Sequence, residues 1–162
     1  MTKKIGLPPV MRADAHLLVL GSLPGEASLR QARYYAHPRN QFWRLMKVVA
    51  GEPLERLAYE ERLARIVALR IALWDVIHAA RRQGSLDGDM REIEARDLAA
   101  FTGGLPELRA IAFNGGTAAR LGRKALTGSG LALIDLPSSS PAFTLPFAEK
   151  AERWAALRAF LD

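Results

Sequence analysis

The sequence contains no cysteine and only three histidines, His16, His37 and His78. Without thiols the chain cannot form disulfides, hold a metal or an iron–sulfur cluster through thiolates, or use a cysteine nucleophile. The three histidines are too scattered along the chain for a zinc site. We therefore predict no metal and no cofactor.

Long apolar runs are absent as well. No segment approaches the roughly 20 apolar residues that a membrane-spanning helix needs, and the basic N-terminus lacks the apolar run of a signal peptide. The sequence also lacks a P-loop, a Gly-x-Gly-x-x-Gly fingerprint and a Gly-x-Ser-x-Gly nucleophile elbow. These absences predict a soluble, cytoplasmic protein with no membrane partner and argue against a nucleotide-cofactor enzyme or a serine hydrolase.

What the chain does have is a globular composition with excess positive charge. The chain has 162 residues, which is long enough for one hydrophobic core, and 49% of them are apolar and 25% charged. The net charge is +6. A sequence pI of about 10.2 favours an anionic partner such as nucleic acid, although an Arg-rich genome can produce the same charge. We predict one domain over 1–162, a monomer, with residues 1–14 as a flexible lead-in.

Apolar runs alternate with amphipathic or polar stretches along the chain. The runs predict buried strands at 17–20, 70–77, 108–113 and 131–136. The stretches between them predict helices from about residue 26 and over 40–50, 54–69, 98–101, 117–126 and 146–161, and residues 81–94 are predicted to be an exposed connection. This alternation predicts an α/β fold, a single three-layer domain with a central, mostly parallel four-stranded sheet flanked by helices.

Chemically versatile residues follow the predicted strands. The four strand exits are Gly21–Gly25, Asp75–His78, Asn114–Gly116 and Pro137–Pro141, and in such sheets ligands bind beyond the carboxyl ends of the strands. The stretch from Tyr34 to Trp43 adds adjacent rings, cations and amides, a combination that suits holding a base beside a phosphate backbone.

Taken together, these segments resemble the uracil-DNA glycosylase superfamily. Gly21-Ser22-Leu23-Pro24-Gly25 resembles its first motif, and Tyr35-Ala36-His37-Pro38-Arg39-Asn40-Gln41-Phe42-Trp43 is similar to the segment that follows in the mismatch-specific branch. Pro137-Ser138-Ser139-Ser140-Pro141 resembles the second motif, the loop that probes the minor groove. The match is colinear over about residues 16–145, and the most similar branch is the hypoxanthine-DNA glycosylases.

Two departures from the family pattern refine this expectation. Leu23 stands where uracil-excising relatives carry an Asn or Asp that directs water, and Leu136 stands where their second motif begins with a catalytic His. The resemblance to the hypoxanthine branch instead implies a catalytic role for Asn40. We therefore expect strong uracil excision to be absent and excision of deaminated adenine to be retained.

The resemblance implies a role for each of twelve residues. We expect Asn40 and Asp75 to be catalytic. The base pocket is expected to comprise Gly21, Ser22, Leu23, Tyr35 and Asn114, and the DNA contacts His37, Arg39, Ser138, Ser139 and Ser140.

Each of these residues also has a simpler structural interpretation. Asn40 or Asp75 could serve simply as a helix cap, and Tyr35 could be a ring of the core. The loop residues could serve simply to form turns. Lys47 is interpreted as an exposed lysine rather than a Schiff-base nucleophile.

The expected function is a monofunctional DNA glycosylase that flips and excises deaminated bases, hypoxanthine first, from double-stranded DNA in base excision repair. Two alternatives remain open. One is a uracil or mismatch-specific glycosylase of the same fold, and the other is a non-catalytic module that binds nucleic acid or a nucleotide.

Overall fold

The computed structural model describes residues 2–161 as one α/β unit. Within these residues the strands are β1 (Lys3–Ile5), β2 (Leu17–Gly21), β3 (Ile71–Asp75), β4 (Ile77–Arg81), β5 (Arg91–Ala95), β6 (Ala110–Asn114) and β7 (Ala132–Leu136). The helices are α1 (Glu26–Gln31), α2 (Phe42–Ala50), α3 (Tyr59–Ala68), α4 (Leu98–Gly103), α5 (Gly116–Leu126) and α6 (Phe147–Ala155), with 3-10 turns at Leu54–Arg56, Asp87–Asp89 and Ala156–Phe160.

The central sheet has four strands in the order β3-β2-β6-β7, and every neighbouring pair is parallel. This confirms the predicted sheet. The register places Gly21 opposite Asp75 and Asn114 opposite Leu136. The carboxyl ends of all four strands therefore meet along one edge.

Alternating side chains of the sheet pack into two cores, one on each face. Leu17 and Val19 of β2 join the buried faces of α2, α3 and α6, whereas Leu18 and Leu20 pack toward α4 and α5. Because successive strand residues point to opposite faces, a continuous apolar run fills both cores. The three layers agree with the predicted architecture.

A second sheet differs from the prediction. Strand β4 pairs with β1 and β5 in an antiparallel sheet of order β1-β4-β5, whereas we expected one strand over 70–77 and an exposed connection over 81–94. The predicted strand ends at Asp75. All five residues of β5 are exposed, so no alternation of apolar and polar residues marked it in the sequence.

The segment over residues 1–14, which we expected to be a flexible lead-in, contains regular structure. Strand β1 lies within it, and Val10 forms an antiparallel bridge with Leu73. Short strands at a sheet edge are hard to predict from sequence, because backbone hydrogen bonds rather than an apolar pattern hold them in place.

Two predicted helices are interrupted. The helix expected over 54–69 is a 3-10 turn followed by α3, because Leu57 and Ala58 are extended between them. The helix expected over 146–161 changes to 3-10 geometry after Ala155. Among residues 2–161, no helix is long and apolar enough to cross a membrane.

Candidate active site

The carboxyl edge of the central sheet opens into a cavity of about 480 Å³, a size typical of small-molecule sites. Of the twelve residues assigned from the sequence, Arg39 alone does not line it. The other eleven line the cavity: Gly21, Ser22, Leu23, Tyr35, His37, Asn40, Asp75, Asn114, Ser138, Ser139 and Ser140. Residues from the exits of all four parallel strands thus share one cavity.

The tightest part of the wall is formed by Gly21, Asp75 and Tyr35. A Cβ added to Gly21 would lie 2.6 Å from Asp75 Oδ1 and 3.0 Å from the Tyr35 hydroxyl. Both distances are well below ordinary van der Waals contact. Glycine at this position lets the carboxylate and the phenol approach the same point of the cavity.

If the cavity excises a base, as the family resemblance implies, Gly21→Ala should lower excision at least 10-fold, because the methyl group displaces Asp75, Tyr35 or both. Single-turnover rates on a hypoxanthine-containing duplex measure the effect. Gly103→Ala is the control, since a Cβ at Gly103 meets nothing within 4 Å. Full activity of Gly21→Ala would contradict the placement of the catalytic wall at this point.

Asp75 is a buried carboxyl group with an incomplete set of partners. Its side chain is 3% exposed, and within residues 2–161 no hydrogen bond reaches its Oδ2. Burial raises the pKa of Asp75 to about 7, Asp87 adds to the rise, and the cations Arg96 and Arg82 oppose it. Asp75 ends β3 and a strand follows it, so the helix-cap interpretation does not apply.

Asn40 lies directly before Gln41, the N-cap residue of α2, so it is not itself the helix cap. Its Oδ1 accepts a hydrogen bond of 2.9 Å from the backbone N–H of Phe42, the first residue of α2. The side chain also lines the cavity. The helix thus fixes the amide through its oxygen, and this bond leaves the NH2 group as the donor for a ligand.

Tyr35 is held in an uncommon backbone conformation with φ 54°. Bulky residues adopt this left-handed region only where surrounding contacts determine it. The ring of Tyr35 stacks on Phe42 with centroids 3.7 Å apart and an interplanar angle of 12°. Burial raises the pKa of Tyr35, which keeps the phenol protonated.

Asn114 connects two walls of the cavity. Its Nδ2 donates to Ser139 Oγ at 2.9 Å and to the Tyr35 hydroxyl at 3.3 Å, while its Oδ1 accepts from the Ser139 backbone N–H. These bonds reach Tyr35 and the second-motif loop rather than closing a local turn. Asn114 therefore orders the pocket.

Lys150 holds the second-motif loop through hydrogen bonds, and the sequence analysis did not predict this role. It is 1% exposed, and its ammonium group donates to Gln41 Oε1 at 2.8 Å and to the Ser140 carbonyl at 3.2 Å. The spacing to Trp154, one helical turn later, places Lys150 on the buried face of α6 and was the available signal.

Four of the five residues expected to contact DNA are at least partly exposed. His37 and Arg39 are exposed, and the hydroxyls of Ser138 and Ser140 accept hydrogen bonds from backbone N–H groups two residues later. Ser139 is different, because it is 1% exposed and its Oγ and backbone N–H are both bonded to Asn114. Lys47 is exposed, pairs with Glu55 at 3.5 Å and is not among the residues lining the cavity.

A further wall of the cavity comes from the loop between β4 and β5, which lies in the segment predicted to be an exposed connection. Ser85, Leu86 and Asp87 of this loop line the cavity. Asp87 Oδ1 accepts a hydrogen bond of 2.7 Å from Ser22 Oγ. A polar, turn-rich segment gives no sequence signal that it folds back over a site.

The comparisons with known proteins agree with this geometry. The family model described as "Uracil DNA glycosylase superfamily" matches residues 8–160, and the chain belongs to this superfamily. A hypoxanthine DNA glycosylase from Methanosarcina acetivorans is 38% identical over 95% of this chain and 97% of its own length.

Two more relatives support the same family. A hypoxanthine DNA glycosylase from Methanosarcina barkeri is 40% identical over 70% of this chain and 72% of its own length. The solution NMR structure of a candidate uracil DNA glycosylase from Methanosarcina acetivorans matches with a TM-score of 0.87 at 37% identity, covering 98% of this chain and 99% of that chain.

Proposed function

We propose that this protein is a monofunctional DNA glycosylase that excises hypoxanthine from double-stranded DNA in base excision repair. The observation that carries the proposal is the shared cavity, in which a stacked ring, a fixed amide and a buried carboxyl group converge. The hypoxanthine DNA glycosylases from two Methanosarcina species, at 38% and 40% identity, support the choice of base.

The reaction is hydrolysis of the bond between the base nitrogen and the sugar carbon C1′. Positive charge develops on the sugar and negative charge on the departing base. Fixed charges and dipoles that match these changes lower the barrier. The bond between C1′ and the base nitrogen breaks and the base leaves with the bonding electrons, while water attacks C1′ and loses a proton to solvent. The departing base takes up a proton from solvent, and an abasic site remains in the DNA.

Each wall of the cavity has a role in this scheme. Tyr35 stacks on the flipped base, with its other side supported by Phe42. The NH2 group of Asn40 donates to the departing base, and ionised Asp75 stabilises the cationic sugar or orients the water. Ser22 and the backbone of Gly21 and Leu23 contact the base edge.

The rim of the cavity holds the duplex around the extruded nucleotide. We assign the phosphate contacts to His37, Arg39, Ser138 and Ser140, and we assign Ser139, which is 1% exposed and bonded to Asn114, to holding the second-motif loop in place. Among the described residues, no cluster of His, Cys, Asp or Glu forms a metal site. We further propose that the protein acts as a monomer in the cytoplasm, and light scattering of the free and DNA-bound protein measures the oligomeric state.

Single-turnover excision tests the proposed function. Duplexes containing one hypoxanthine, uracil or xanthine are incubated with excess protein, and alkali-sensitive abasic sites are measured beside an undamaged duplex. We expect hypoxanthine to be excised fastest, with no strand cleavage before alkali treatment. Faster uracil excision would favour the alternative glycosylase, whereas tight binding with no product would favour a binding module.

A further inference from the structure

Leu86 is an exposed leucine at the mouth of the cavity. It is 56% exposed, and it lines the cavity between Ser85 and Asp87. Isolated exposed apolar residues are common on protein surfaces. Leu86 differs from such residues because its two neighbours are both fixed to the site.

Hydrogen bonds from the first-motif loop hold both neighbours of Leu86. Ser85 Oγ accepts from the backbone N–H of Glu26 at 2.9 Å, and Asp87 Oδ1 accepts from Ser22 Oγ at 2.7 Å. The loop also begins at a buried anchor, since the Arg82 guanidinium donates to the Pro24 carbonyl at 2.6 Å. Polar side chains thus fix the loop, and the apolar side chain is left facing outward.

A second exposed apolar side chain lies at the same mouth. Phe143 is 47% exposed and also lines the cavity. Leu86 belongs to the loop between β4 and β5, whose Asp87 is bonded to Ser22 after β2, and Phe143 belongs to the loop that follows β7. Because β6 lies between β2 and β7 in the sheet, the two side chains reach the cavity mouth on loops attached to different strands.

We propose that Leu86 inserts into the DNA base stack when the cavity takes up a flipped nucleotide. This inference rests on the proposed function. Extruding a nucleotide leaves its neighbours unstacked, and apolar side chains inserted between bases compensate for the lost stacking. A leucine on this loop fits the role because three hydrogen bonds hold the loop in position before DNA binds.

The test compares Leu86→Met and Leu86→Gln, which have similar length but opposite polarity. Single-turnover excision is measured on a perfect duplex and on a duplex with hypoxanthine unpaired in a bulge. We expect Leu86→Gln to lower excision from the perfect duplex at least 10-fold and from the bulge less than 2-fold. Leu86→Met is expected to retain most of the activity on both substrates.

Ile5→Gln is the matched control, because Ile5 is 58% exposed and is not a residue lining the cavity. This variant is expected to leave excision from both substrates unchanged. Equal losses of Leu86→Gln on both substrates, or no loss on the perfect duplex, would overturn the proposal. Thermal melting of each variant identifies any loss of folding.

Failure of the proposed function is distinguishable from failure of this inference. Absence of excision by the wild-type protein refutes the function. In that case 2-aminopurine next to hypoxanthine still reports unstacking on binding. A fluorescence rise with the wild type and Leu86→Met but not with Leu86→Gln supports insertion, and the same rise with all three proteins overturns it.

Discussion

Asn40→Ala is expected to lower single-turnover excision of hypoxanthine by about 100- to 1000-fold, the usual effect of removing one fixed donor that faces developing charge. In the scheme above, the NH2 group of Asn40 donates to the departing base. The Oδ1 atom is already held by the backbone N–H of Phe42, so the donor is ordered before the base enters. Alanine removes this donor together with the group that holds it.

The same substitution also removes the hydrogen bond from the Phe42 N–H to Asn40 Oδ1 at the start of α2, which contributes about 1 kcal/mol to stability. Asn40→Asp and Asn40→Ser separate the two effects, because both retain an oxygen that can accept this bond and lack the NH2 donors. If the NH2 donor is the catalytic group, both variants are stable and nearly as inactive as Asn40→Ala. Recovery of activity in Asn40→Ser would show that loss of the Phe42 hydrogen bond alone explains the alanine variant.

Much of this site could be predicted because its residues follow strands with clear apolar patterns. Gly21, Asp75 and Asn114 each end a strand of the central sheet, and parallel strands bring their carboxyl ends together. Placing the strands was therefore enough to place these side chains in one cavity.

The remaining wall of the site depends on long-range contacts that carry no periodic pattern. Asp87 meets Ser22, which is 65 residues away, through a single hydrogen bond, and Ser85 meets Glu26 in the same way. The strand β5 that supports this loop is exposed along its length. Neither propensity nor periodicity predicts such a loop position, because side-chain hydrogen bonds between distant segments determine it.

The second large effect is expected at Asp75. Asp75→Asn should lower hypoxanthine excision at pH 8 by about 100-fold or more, since it removes the buried negative charge that, in the proposed scheme, stabilises the cationic sugar. The wild-type rate should rise with pH up to about 7 and then level, because burial raises the pKa of Asp75 to about 7 and the ionised form is the active one. Asp75→Asn should lack this rise.

The raised pKa of Asp75 has the opposite effect on stability, which should decrease over the pH range in which activity rises. The pKa of Asp75 is about 7 in the folded protein, against an ordinary value of 3.8. Between these values the folded protein retains a proton that the unfolded chain has released, so the free energy of unfolding decreases as pH rises. Above pH 7 the decrease is complete and amounts to at most about 4 kcal/mol.

Asp75→Asn is therefore expected to be more stable than the wild type at pH 8 and similar to it near pH 4. Urea unfolding at the two pH values measures the difference. Asp89→Asn is the control, because Asp89 is exposed and is not a residue lining the cavity, and it should change neither stability nor activity.

A variant that loses activity while gaining stability separates a catalytic carboxylate from a structural one. A carboxylate that holds the fold together stabilises it through its partners, and its removal weakens the protein. Asp75 instead has an oxygen without a hydrogen-bond partner in the described part of the chain. Its negative charge therefore lowers the free energy of unfolding. Lower stability of Asp75→Asn at pH 8 would assign Asp75 to the structure and leave Asn40 as the principal catalytic group.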